Sequence, residues 1–110
     1  MIQERLDKIE EKLKQSNSIK ESDKAELLAL VTKLRTEIAD LSKTHSEHAE
    51  SIVRFAELSA HEAMRNEKNP DLFKLSLEGL TSSVRSFETT HPSLVVIINR
   101  ICKMISDLGI

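Results

Sequence analysis

Aromatic side chains are nearly missing from this chain, which has three Phe and neither Trp nor Tyr in 110 residues. Small globular domains draw much of their core burial from such rings, so the core must be aliphatic, built from Leu, Ile, Val, Ala and Met. Glycine and proline occur twice each, which leaves little raw material for tight β-turns. The single cysteine, Cys102, excludes an intrachain disulfide and any multi-cysteine metal site. It lies in an apolar helical segment and reads as a buried, inert thiol. Neither sign of charge dominates, because 16 basic residues are interleaved with 18 acidic ones. Nonspecific nucleic-acid binding needs several phosphate contacts from one positive surface, so nucleic acid is not an expected partner. The most apolar run, Leu94 to Ile98, is far shorter than the roughly 20 residues that span a bilayer. The N-terminus, Met1-Ile2-Gln3-Glu4-Arg5, lacks the apolar stretch of a signal peptide. The expectation is a cytoplasmic protein with no membrane partner.

Helix-forming residues in heptad order make up the rest. Ile2, Leu6, Ile9 and Leu13 place one apolar residue per turn on one face, predicting a short helix over 2–15. So short a helix is marginal alone in water and needs a partner. After the polar Ser16-Asn17-Ser18, Ser18 and Ser22 are both candidate N-caps, and Glu21 completes a capping box with the first.

From Leu27 the pattern is regular: Leu27, Val31, Leu34, Ile38, Leu41, His45, His48, Ile52, Phe55, alternating steps of four and three. That regularity predicts one long helix over 22–66, about 65 Å at 1.5 Å per residue. A compact domain of this chain length is only about 35 Å across, so such a helix projects and pairs along its length. These nine residues form the expected oligomer seam. The alternative is a break near residue 44, where Thr44 and Glu47 carry a capping-box signature. The unbroken heptad phase favours continuity.

Asn66-Glu67-Lys68-Asn69-Pro70 stops that segment. Asn69 as N-cap and Pro70 in the first turn predict a helix over 70–90, with the stripe Phe73, Leu77, Leu80, Val84, Phe87. Gly79 inside it costs about 1 kcal/mol relative to Ala and is either a close-approach point or a tolerated small residue. His91-Pro92 repeats the punctuation. The last helix, 92–108, carries Leu94, Ile98, Ile101, Ile105 and Leu108, widened by Val95, Val96, Ile97 and Met104. So apolar a helix belongs at the centre of a bundle or in an interface. Gly109 follows as a natural C-cap.

His45 and His48, three residues apart on one helix side, are the strongest candidates for chemistry. A metal site completed by another helix or a pH response would use them; polar register-setting residues in a coiled-coil seam are the plainer alternative. His61, beside Glu62 and Met64, reads as an exposed helical histidine. No Gly-x-Ser-x-Gly elbow accompanies the Ser, His and Asp residues, no Gly-rich phosphate loop occurs, and the carboxylates alternate with Lys and Arg as on solvated faces. No catalytic residue, cofactor or metal is assigned.

The segment Ser76-Leu77-Glu78-Gly79-Leu80, through Phe87-Glu88-Thr89-Thr90-His91-Pro92-Ser93-Leu94, to Leu108-Gly109-Ile110 resembles a family of short bacterial proteins carrying a domain of unknown function. Their C-termini show Phe-Glu, two variable residues, His-Pro, one variable residue and Leu, then a helix ending Gly-Ile. The resemblance covers the last third and implies a small bacterial helical protein, with no activity attached. The middle of this chain, about His45 to Asn69, is longer than in that family. Taken together, the sequence predicts an all-α, elongated helical bundle or coiled coil with a C-terminal helical hairpin. It would be a non-enzymatic homo-oligomer, dimer or larger, that also has scope to pair with another helical protein.

Overall fold

An amphipathic helix persists only if something covers its apolar stripe, and here each helix is covered by others of the same chain. A computed structural model describes residues 2–109, Gly109 by its backbone alone. The described residues form α1 (Ile2–Gln15), α2 (Glu21–Ser42), α3 (Ser46–Ala63), α4 (Pro70–Val84) and α5 (Pro92–Gly109), with a 3-10 turn at Arg85–Phe87. No strand occurs among them. The protein is an all-helical bundle.

Several boundaries follow from local chemistry. Asn69 has extended backbone and accepts a hydrogen bond from the Leu72 N–H at 3.2 Å, with Pro70 in the first turn of α4. The helix expected over 70–90 ends earlier, at Val84, and tightens into the 3-10 turn. The N-cap of α2 is Lys20, not Ser18 or Ser22, and no side chain caps it. Gly109 is the last residue of α5 instead of a cap beyond it; Ile110, the other half of the Gly-Ile ending, lies outside the described residues.

The long helix expected over 22–66 is two helices. Lys43 and Thr44 form a turn, and His45 has φ −136 and ψ 61, outside the helical region. The break falls in Ser42-Lys43-Thr44-His45-Ser46, where four of five residues are poor helix formers. The Thr44 hydroxyl bonds locally to His45 Nδ1 at 2.8 Å, competing with regular backbone pairing. The apolar phase changes at this break. In α3 the buried face is Ala49, Val53, Ala56, Ala60 and Ala63 together with Ile52, Ser59 and Glu62, so its centre has moved towards the line one residue on from His48 and Phe55. That shift leaves His48 in solvent and Phe55 half-buried, and His45 is exposed at the turn itself.

Reversal at the break gives a molecule of 37 × 26 × 23 Å with a radius of gyration of 13.0 Å, the dimensions of an ordinary compact domain and not of an elongated coiled coil. Ion pairs and contacts fix the directions. Arg35 of α2 reaches Gln3, Asp7 and Glu10 of α1, as in an antiparallel pair. Arg5 of α1 meets Glu57 of α3 at 2.7 Å, and Lys12 meets His61 at 3.1 Å, so α1 and α3 run parallel. Arg100 of α5 meets Glu26 of α2 at 2.6 Å, and Thr81 of α4 faces Cys102 of α5 at 3.7 Å. Thus α1, α3 and α5 point one way, and α2 and α4 the other.

The centre belongs to α3, which packs on all four other helices. The very apolar α5 lies against α2, α3 and α4 and leaves Val96 in solvent. Alanine explains the exchange of roles. Short side chains at 49, 56, 60 and 63 let four neighbours gather around one axis, where longer ones would hold them apart. Gly79 serves the same end on α4: a Cβ there would fall inside the van der Waals envelope of the Phe55 ring.

Candidate functional site

The nine seam residues divide sharply. Leu27, Val31, Leu34, Ile38, Leu41 and Ile52 are buried within a single chain, packed on α1, α3 and α5. Since their apolar surface is already removed from water, no second chain is needed to cover it. His45 and His48 are exposed and Phe55 is half-buried. The expected hairpin core is present, with Phe73, Leu80, Val84, Phe87, Leu94, Ile98, Ile101 and Ile105 buried and Leu77 half-buried.

One end of the bundle gathers the histidines. His45 lies 6.0 Å from His48 and 6.4 Å from His91, measured between ring centroids. The Phe87 ring sits among them, edge-on at 5.4 Å to His45 and His48 and 5.5 Å to His91. The α2–α3 turn delivers His45, the first turn of α3 His48, and the Pro92 corner His91. Phe87 is buried beneath them, so the imidazoles cap the apolar end of the core. Among the described residues no three His, Cys, Asp or Glu side chains are grouped to hold a metal ion. The sequence pointed to two of these histidines and offered His91 only as part of the His91-Pro92 punctuation.

The opposite end is open. A cavity of about 350 Å³ runs inward between α1, α2, α3 and α5. Its mouth carries Ser18, Met64, Arg65, Asn66 and Lys68, and its inner wall reaches Leu34, Ala56 and Ile101. The alanines of α3 create this space, since nothing longer extends from that wall. Arg65 Nη1 donates to Glu62 Oε1 at 2.8 Å, holding a carboxylate that is itself buried. Lys68 Nζ donates to the Ala63 carbonyl, where α3 ends. Nothing in the sequence points to this cavity, because alanine registers weakly as an apolar signal and the space depends on how four helices converge.

Two further features stand apart from these ends. Leu58, Leu72 and Leu75 are 44%, 45% and 61% exposed. Leu72 and Leu75 share one face of α4, and the antiparallel α3–α4 hairpin, with Phe55 against Gly79, brings Leu58 level with Leu75. Cys102 is half-buried beside the Thr81 hydroxyl. Burial pushes its thiol pKa up, against a smaller lowering by the Thr81 hydrogen bond, so the reactive thiolate is disfavoured near neutrality.

No helix among the described residues is long and apolar enough to cross a membrane. No family model matches the chain, and neither does any curated protein or solved structure.

Proposed function

We propose that this protein is a non-enzymatic interaction module that self-associates through the outer face of α4. The observation behind the reading is the pair Leu72 and Leu75, left in solvent beside Leu58 although the core beneath is complete. The heptad stripes are consumed inside the chain, so association has to use a surface, and this is the one where large apolar side chains adjoin. A second copy of the chain is the occupant that fits. Asp71 and Lys74, both exposed, are one turn apart on α4. Antiparallel pairing of two α4 helices that sets the Leu72 of each copy against the Leu75 of the other brings the Lys74 of each within a turn of the Asp71 of the other, opposite charges at the edge of the leucines.

Light scattering on a sizing column, over a concentration series, tests the reading. The expected mass is that of a dimer, and Leu75→Glu is expected to give a monomer with an unchanged helical circular-dichroism spectrum. A wild-type monomer at every concentration would overturn the proposal, as would a Leu75→Glu variant that stays dimeric.

A further inference from the structure

The open cavity at the other end of the bundle supports a conclusion independent of the α4 face. Protein interiors pack so closely that few voids exceed a water molecule, and an apolar cavity of about 150 Å³ already admits benzene. The space here is about 350 Å³. Leu27, Leu34, Ala56, Ala60 and Ile101 form much of its wall, and all are buried. Such walls lack dispersion partners on the cavity side, and water finds no hydrogen bonds among them. An apolar guest gains on both counts.

The polar character of the site is confined to the mouth. Arg65 and Lys68 supply the charged side chains of the lining, and both are cations. Arg65 uses one N–H group on Glu62 and has five in all. Lys68 donates to a backbone carbonyl and makes no ion pair among the described residues. An apolar shaft under a cationic rim complements a ligand with an apolar tail and one anionic end. From Ala63 to Ala56 the shaft follows seven residues of α3, about 10 Å at the helical rise, the reach of a medium-chain acyl tail.

We infer that this cavity binds a medium-chain aliphatic carboxylate. The tail lies among α1, α2, α3 and α5, and the carboxylate is held at the mouth by Lys68 and Arg65. A long-chain ammonium ion would bring a third positive charge to the rim. A neutral alcohol would leave Lys68 without a counter-charge.

Titration calorimetry of the full chain with sodium decanoate, below its micellar concentration, is the test, with decanol as the neutral comparison. Saturable binding of one decanoate per chain is expected, about tenfold tighter than decanol, the difference a charge-assisted hydrogen bond makes. Lys68→Met should erase most of that preference without weakening decanol. Ala60→Leu, which sends a branched side chain into the shaft, should abolish binding while keeping the helical spectrum and raising the melting midpoint. If Ala60→Leu fails to fold, Ile101→Phe fills the shaft from the opposite wall. Monomeric Leu75→Glu should bind decanoate as the wild type does, which separates this site from the association face. Absence of saturable decanoate binding by the wild type would overturn the inference. Equal affinity for decanoate and decanol would do the same, as would full affinity in a folded shaft-filling variant.

Discussion

Ser59 sits in the middle of α3, fully buried, and its hydroxyl has no hydrogen-bond partner among the described residues. Ser76, buried across the hairpin on α4, donates instead to the Phe73 carbonyl at 2.7 Å. An unsatisfied buried hydroxyl costs about 1–3 kcal/mol, whereas alanine fills nearly the same volume and is the better helix former. Ser59→Ala is therefore expected to stabilise the protein by about 1 kcal/mol in a chemical-denaturation curve, and Ser76→Ala to give no such gain. A Ser59→Ala variant less stable than the wild type would mean that the hydroxyl is satisfied in solution. Neither role is visible in the sequence, where a serine adds nothing to an apolar periodicity. Glu62 is similar: a buried carboxylate held by Arg65 at 2.8 Å, in a stretch whose charges otherwise belong to solvated faces. Its burial depends on where the α3–α4 connection passes.

Among the helices, α4 has a start that the chain spells out locally. Asn69 and Pro70 act within their own turn, so cap and first residue are readable without knowledge of the rest of the fold. Asn69→Ala removes the acceptor for the Leu72 N–H and should cost about 1 kcal/mol, while Asn69→Asp, which keeps an acceptor, should be near neutral by the same denaturation measurement. The opposite case is the junction of α2 and α3. The run from Leu27 to Phe55 keeps heptad spacing across Thr44, yet the chain turns there and α3 buries the neighbouring line of alanines. Large apolar residues dominate any periodicity, and alanine contributes little to it. At a crowded centre the order reverses, because a small side chain is what allows α1, α2, α4 and α5 to approach α3 at once.

At the scale of the molecule, five helices share one core and stand or fall together. Leu34 on α2 and Ile98 on α5 are both essentially inaccessible, and both serve that core within a single chain. Leu34→Asp or Ile98→Asp places an uncompensated charge there, at several kcal/mol, against a total stability of about 5–15 kcal/mol for a domain. Either substitution should abolish the cooperative thermal transition. The loss should not depend on protein concentration, as it would if these residues met between chains. The bundle ends differ for a reason of the same scale. At one, Phe87 and the histidines seal the core. At the other, the alanine wall of α3 leaves it open.

By itself the sequence determined that the protein is helical and aliphatic in its core, where α1, α4 and α5 begin, and which residues of the C-terminal hairpin are buried. These depend on capping, proline geometry and strong one-face periodicity, all short-range and written in neighbouring residues. Only the tertiary structure decided that α2 and α3 are separate helices, that the seam residues are covered by their own chain, that His91 joins His45 and His48, and that a cavity opens beside Arg65 and Lys68. A stripe of apolar residues specifies that something must cover it and does not specify whether the cover comes from the same chain or another. That choice is made by loop reversal and by the fit of small side chains among several helices, and both are properties of the assembled core.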